Sequence, residues 1–542
     1  MVALAALGVS GAMAALVAGA WVTRRRRQLD QRPLGRQLLH PDASSSHFAQ
    51  AICHIADRPA RRALPEVDTA PTTVLVGEDS DGRSVLLDLA GAGVTTIEGD
   101  EAADLMGAMV TSLACADWAA GTNVTVVGAD LAWVTSFDHP GFVHVDQLDE
   151  ALEGWMRSGA ERRRVGGDLD VDAVPEVLVV TDSPSAAQRA RLLEALAPGM
   201  GLVLPAWKGS ERSPEVGERV SATVAEAHLK RGDTRFVPFL IGEPARRALV
   251  DLNRVVTGDD TTHAPWWSTD EPPDGIPTIH NRPTITAREE DEMPELLTGT
   301  EHPVLLVLGT VELLGTRGES PSKAAKQCAE YCAWILQHPG RTAPAMGQAL
   351  LVAEGTRRSN MSRLRTWLGA SSEGEPYLPD AYTGRIALDA RVTSDWEHLQ
   401  ARIAAGVNLT PSQGLVEALE LVRGEPFADA APGQWHWADT WRSDMVSTIR
   451  DIALVLAERS VQAGDAETAR WALKRGLVAA SDDELLISAL VSVEASVGNR
   501  TEVDRWAVVL TRRVRETGID LLPETVIALQ RAIEGRARTR RV

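Results

Sequence analysis

Residues 257–302 interrupt every repeating pattern in this chain. From Thr257 to Glu301 there are eleven acidic residues and two arginines, a net of −9, mixed with proline and threonine, and neither a period of 2 nor one of 3.6 runs through them. A stretch with no apolar face has nothing to bury. It reads as an acidic linker, and the sequence on each side needs a core of its own. A length of 542 residues agrees, since one hydrophobic core rarely serves so many. The whole chain carries a net charge of −20, and nearly half of that excess lies in the linker, so it says little about the folded surfaces. Four cysteines, none in a CxxC pair, exclude a disulfide scaffold and argue against a zinc ribbon.

The first 22 residues, Met1–Val22, contain no charge, and Arg24, Arg25, Arg26 and Arg27 follow at once. As a helix the run reaches roughly 33 Å, enough for a bilayer core of about 30 Å. A cleaved signal peptide is the alternative, but it carries its positive charge before the apolar run. The reading is therefore a transmembrane helix over 1–22, with the lipid bilayer as a partner. It makes a single-pass protein of the cell membrane whose bulk is cytoplasmic. Residues 23–71 read as a basic juxtamembrane linker, with a net of +6 from Thr23 to Arg62.

Residues 72–256 alternate short apolar runs (Val94–Ile97, Val124–Val127, Val177–Val180, Leu202–Leu204) with helical patterns, which predicts an α/β domain with a mostly parallel sheet. Val94–Met106 has the strand, glycine and helix of a phosphate loop. Counted from Gly99, however, the second glycine position is Asp104, the lysine position Leu105 and the hydroxyl position Met106. Asp100, Glu101 and Asp104 would repel a phosphate at that helix N-terminus. The domain therefore reads as degenerate NTPase-like and non-catalytic, with Asp130 and Asp182 as caps or turn residues. Neither a cofactor nor a metal is expected, and the chain is expected not to be an enzyme.

Beyond the linker, Ser320–Ala370 has a net charge of +5 and reads as three helices preceded by two short strands and followed by Gly374–Leu388, a glycine-rich β segment. Projected at 100° per residue, the third helix turns Met361, Leu364 and Leu368 inward. Arg358, Ser359, Ser362, Arg363 and Thr366 face the other way, with Arg365 at the edge. Guanidinium groups and hydroxyls suit bases and phosphates in a DNA major groove, although a solvated basic face has the same composition. The order of elements predicts a winged helix-turn-helix over 303–391. Its candidate DNA-binding residues are Arg357, Arg358, Ser359, Ser362, Arg363, Arg365, Thr366 and Arg385. Cys328 and Cys332 continue an apolar helical stripe and read as core.

From Asp395-Trp396 onward the sequence is helical. Gly464-Asp465 and Gly498-Asn499 recur 34 residues apart, each before a helix with Arg-Trp (Arg470-Trp471, Arg505-Trp506). That is the period of a tetratricopeptide-like repeat, so residues 392–535 read as an all-α domain with a surface for a protein partner, followed by a basic tail over 536–542. The winged helix with Ser362-Arg363-Leu364-Arg365, the junction Asp395-Trp396, the repeats and the ending Gly518–Ile533 together resemble the bacterial transcriptional activator domain of SARP-type regulators, the antibiotic regulatory proteins of actinobacteria. The resemblance covers about residues 303–533. It implies a winged helix on promoter DNA and repeats that contact other proteins. The layout of anchor, α/β domain, linker and regulator pair resembles membrane-anchored actinobacterial members. Glu373, Glu375 and Asp380 in the wing depart from the family pattern. They favour an alternative, a membrane-tethered interaction scaffold whose winged helix no longer binds DNA.

Overall fold

The computed structural model describes residues 11–56, 69–165, 174–206, 217–258, 260–267, 300–380, 384–430, 435–517 and 520–539. It divides into two units, Met1–Arg26 with His40–Asp259 and Arg27–Leu39 with Asp260–Val542.

Helix α1 (Gly11–Gln31) is the first element among the described residues, with its residues to Arg26 in the first unit. Strand β1 (Arg36–Leu38) belongs to the second unit, and α2 (Ala43–Ala56) returns to the first. Strands β2 (Thr73–Glu78) and β3 (Ser84–Asp88) form the hairpin that Asp79-Ser80-Asp81-Gly82 dictates. The Asp79 carboxylate accepts the Asp81 and Arg83 N–H groups, and Gly82 takes φ +77°. There follow α3 (Leu89–Ala92), β4 (Val94–Glu98), α4 (Ala102–Cys115), β5 (Asn123–Val127), β6 (Phe142–Val145), α5 (Leu148–Val165), β7 (Glu176–Val180), α6 (Ala186–Ala195) and β8 (Met200–Pro205). The unit closes with β9 (Glu218–Ala222), β10 (Ala227–Leu229), β11 (Thr234–Pro238) and α7 (Glu243–Thr257). The sheet order is β3-β2-β11-β10-β9-β4-β8-β7-β5-β6. The half from β9 to β6 is parallel, and the other strands join antiparallel.

The expected membrane span is corrected here. Among the described residues no helix is long and apolar enough to cross a membrane; residues 1–10 of the 1–22 run lie outside them. What residues 11–21 do instead is pack. Ala12, Met13, Ala14, Leu16, Val17 and Trp21 are buried in the first unit's core with Phe48, Ile52, Leu249 and Leu252. The Trp21 indole N–H donates to the Asn253 side chain at 3.1 Å. The run's small residues let the helix approach its neighbours closely, and its charged end continues as the same helix through Gln31. A single-pass membrane protein and a bilayer partner through residues 1–22 are therefore not supported. Within 23–71, expected as a linker, the structure has the end of α1, β1 and α2; residues 57–68 lie outside the described set.

In the second unit β12 (Thr261–His263) pairs with β1. A three-stranded sheet of β13 (Val304–Leu306), β14 (Glu312–Leu314) and the later β17 (Thr393–Ser394) frames α8 (Ala325–Gln337), β15 (Arg341–Thr342), α9 (Ala343–Ala349), α10 (Glu354–Leu368) and β16 (Arg385–Ile386), which pairs with β15. The elements here run strand pair, three helices and a second strand pair formed with β15. Helices α11 (Asp395–Arg402), α12 (Ser412–Glu420), α13 (Asp439–Gln462), α14 (Ala466–Ala479), α15 (Glu484–Ser496), α16 (Arg500–Thr517) and α17 (Pro523–Thr539) complete the unit. The 34-residue spacing has a structural counterpart. Gly464 (φ +74°) and Gly498 (φ +75°) end their helices in the left-handed region. Behind them the Asp465 N–H bonds to the Ser460 carbonyl and the Asn499 N–H to the Glu494 carbonyl, the same helix-ending turn twice.

Asp395 joins the small sheet to the helical array. Ser394 and Glu397 form a capping box that starts α11. The fully buried Asp395 carboxylate accepts the backbone N–H groups of Val307 (2.8 Å) and Leu308 (3.0 Å), beyond the end of β13. Burial pushes its pKa up to about 6 against the pull of those two bonds. Asp395→Asn aims an amide donor at one of these N–H groups, so the second unit should lose about 1–3 kcal/mol. Thermal melting of the full chain followed by far-ultraviolet circular dichroism should show an earlier helical transition. An unchanged midpoint would mean that the carboxylate adds nothing.

Candidate nucleic-acid interface

The turn between α9 and α10 sets the geometry. Thr342 caps α9, its hydroxyl accepting the Ala345 N–H, with Pro344 in the first turn. Leu351 at φ +52° turns the chain into α10. Asn360, Met361, Leu364, Trp367 and Leu368 are the buried side of α10, and Met361, Leu364, Trp367 and Leu368 share a core with Cys328 and Cys332 of α8. The exposed side is Glu354, Gly355, Thr356, Arg358, Ser359, Ser362, Arg363 and Thr366.

Five of the eight predicted residues therefore share one open face: Arg358, Ser359, Ser362, Arg363 and Thr366. Arg358 is paired with Glu354 one turn earlier, both largely exposed. Such a pair is worth only a few tenths of a kcal/mol, so a phosphate can replace the carboxylate at little cost. Arg363 donates to the Asn360 side chain at 2.7 Å, and the Thr366 hydroxyl to the Ser362 carbonyl at 3.1 Å. Arg385 lies on the β15–β16 ribbon, donating to the Gly340 carbonyl. Two placements differ from the sequence reading. Arg357 is buried, with its side chain beside Gly347 of α9. Arg365 donates to the Leu378 carbonyl (3.0 Å) and pairs with Asp380 (2.9 Å), which ties α10 to the start of the wing. Sequence reasoning missed Arg341, exposed on β15 in the strand pair that holds Arg385. A basic residue directly after Pro339-Gly340 was the available signal.

Behind this face lies a carboxylate with no sequence signature. Glu330 of α8 is buried and accepts the Trp435 N–H (2.8 Å) and the Trp437 indole N–H (3.2 Å). Around it Trp334 stacks on His338, Trp435 on Phe427, and Trp437 meets Trp435 and Trp441. Burial raises the Glu330 pKa to about 7, outweighing both hydrogen bonds. The folded chain then holds a proton there that the unfolded chain releases near pH 4.5. Stability from this group is full below pH 4.5 and is lost as the pH rises through about 7, on the order of 2–4 kcal/mol in all. Glu330→Gln keeps both acceptor contacts and removes the titration. In urea unfolding from pH 5 to pH 8 the wild-type chain should weaken more than the variant, and parallel curves would refute the assignment. Asp30 and Asp395, also raised to about 6, titrate in both proteins and cancel in the comparison.

In the first unit, the connections from the neighbouring strands β5 and β7 leave in opposite directions, and the usual ligand crevice of such sheets lies there. Gly99 takes φ +109°, and a Cβ there would lie 2.0 Å from the Ala222 carbonyl oxygen, so its backbone is pressed against β9. Asp104 is paired with Arg246, which also donates to the Ile241 carbonyl. Asp130 lines an open cleft of about 520 Å³ with Trp133, Arg246 and Asp251. Asp182 lines another, of about 240 Å³, with Asp146, Asp149 and Gln188.

No family profile matches this chain, and no curated protein does. Among solved structures it is similar to Mycobacterium tuberculosis EmbR in complex with a low-affinity phosphopeptide, at 21% identity over 43% of this chain and 65% of that one, with a TM-score of 0.32. It is also similar to the pCW3 conjugation coupling protein TcpA with ATPγS, at 12% identity over 36% of this chain and 76% of that one, TM-score 0.25. A third likeness is the cytoplasmic domain of the Thermomonospora curvata type VII secretion ATPase EccC, at 13% identity over 36% of this chain and 31% of that one, TM-score 0.27. The chain thus spans just under two thirds of the EmbR chain. With ATPases among these neighbours, the expectation that the chain is not an enzyme is withdrawn.

Proposed function

We propose that residues 300–539 form a regulator-like module in which the open face of α10 binds DNA and the helical array receives a protein partner. The observation that carries this reading is the grouping of Arg358, Ser359, Ser362, Arg363 and Thr366 on one exposed side of α10, which we read as the second helix of a helix-turn-helix. Such a helix enters the major groove, where arginine pairs with guanine and hydroxyls reach phosphates or base edges. Arg341 and Arg385 on the ribbon supply further phosphate contacts. Arg357 and Arg365 position α10 rather than touch DNA.

The test is fluorescence anisotropy of the full chain with a labelled 30-base-pair duplex of mixed sequence, titrated at several salt concentrations. Replacing both Arg358 and Arg363 by alanine should weaken binding at least tenfold at low salt and lower the salt slope by about 2. No binding by the wild-type chain at low salt would overturn the DNA reading. The second reading, a protein-interaction scaffold, is favoured by the wing carboxylates Glu373, Glu375 and Asp380 and by the tie of Arg365 to Asp380. Retention of a protein partner without any affinity for DNA would select it.

A further inference from the structure

Residues 27–39, counted above as part of a linker, belong to the second unit and lie on its helices through a set of buried polar contacts. Arg32 is 1% exposed. Its two terminal nitrogens meet both oxygens of the fully buried Asp451 carboxylate on α13, at 2.5 and 3.2 Å, and one also donates to the Ser447 carbonyl. The Gly35 N–H (3.2 Å) and the Trp266 indole N–H (3.0 Å) also donate to Asp451, Arg450 lies 3.8 Å from it, and Arg32 lies over the Trp266 ring. Arg450 donates to the backbone carbonyls of Leu29 and Arg32, and lies 3.6 Å from Asp483. Gln37 donates to Asp444, and Asp30 pairs with Arg513 of α16.

A groove holds a peptide ligand by the same kinds of contact, although here residues 27–31 are the end of α1 and residues 36–38 pair with β12. One guanidinium seats bidentately on a buried carboxylate, and a second side chain, Arg450, grips the ligand's main chain at carbonyls that carry no sequence information. The contact pattern does not require the ligand to be covalently part of the chain. We propose that the Asp451 pocket of the helical array is a recognition site for an arginine just beyond a helix end of a protein segment, and that residues 27–39 are its resident occupant. A partner segment bearing arginine three residues before a glycine, the spacing of Arg32 and Gly35, displaces residues 27–39 to bind. The proposal rests on the reading that the array receives a protein partner, and it names the chemistry of that partner's contact.

The probe is a synthetic peptide of residues 27–39, fluorescently labelled, offered to the full chain. The Arg32→Ala chain, with its own occupant weakened, should bind the peptide at least tenfold more tightly than the wild-type chain does. The same peptide carrying Arg32→Ala should not bind, and Asp451→Asn in the receiving chain should abolish binding. Because Arg32→Ala leaves Asp451 with only Arg450 beside it, at 3.8 Å, a second measurement uses the wild-type chain alone. Under native conditions, amide hydrogen exchange at residues 34–38 should run faster than in α13, and excess peptide should accelerate it further by displacement. Failure of the folded Arg32→Ala chain to take up the peptide, or exchange at 34–38 that matches α13 and ignores the peptide, would overturn the proposal. DNA anisotropy on the same Arg32→Ala chain separates the two readings. Unchanged DNA binding with no peptide uptake removes only the pocket, whereas lost DNA binding in the wild-type chain removes the regulator reading and leaves the pocket standing.

Discussion

A carboxylate with no solvent exposure holds the second unit's two halves in register. Asp395 begins the first helix of the array and reaches back to the backbone N–H groups of Val307 and Leu308. Those groups follow β13, the central strand of the small sheet of β14, β13 and β17. An unpaired buried carboxylate is costly, so this contact leaves little freedom between the sheet and α11. The orientation of α10, and therefore which of its residues meet solvent, is built on that frame. Glu330 repeats the device from α8 to Trp435 and Trp437, at the entry to α13.

The sequence was most legible where one periodicity sufficed. The open face of α10 follows from a 3.6-residue projection, because the buried stripe Met361, Leu364 and Leu368 leaves only one side for Arg358, Ser362 and Arg363. The turns at Gly464 and Gly498 were legible for a similar reason: a left-handed position selects glycine. Arg357 and Arg365 were misplaced because their roles depend on partners outside the helix, Gly347 of α9 for one and Leu378 with Asp380 for the other.

The apolar N-terminus was misread for a more general reason. Hydropathy reports that a segment avoids water but not what replaces the water. Alanine, glycine and valine serve as well for a helix pressed into a protein core as for one in lipid. The deciding partners of residues 11–21, Phe48 and Asn253 among them, lie as far as 232 positions along the chain. The same distance hid the seat of Arg32 on Asp451, 419 positions apart. In sequence that arginine was one more charge in a basic stretch.

The account depends most on the claim that the open side of α10 meets DNA. A photo-crosslinking residue at Ser362 tests contact itself rather than affinity, with the same residue at exposed Val508 of α16 as control. On irradiation with a mixed-sequence duplex at low salt, position 362 should crosslink to DNA and position 508 should not. Equal crosslinking at both positions, or none at 362 while the chain remains folded, would contradict it.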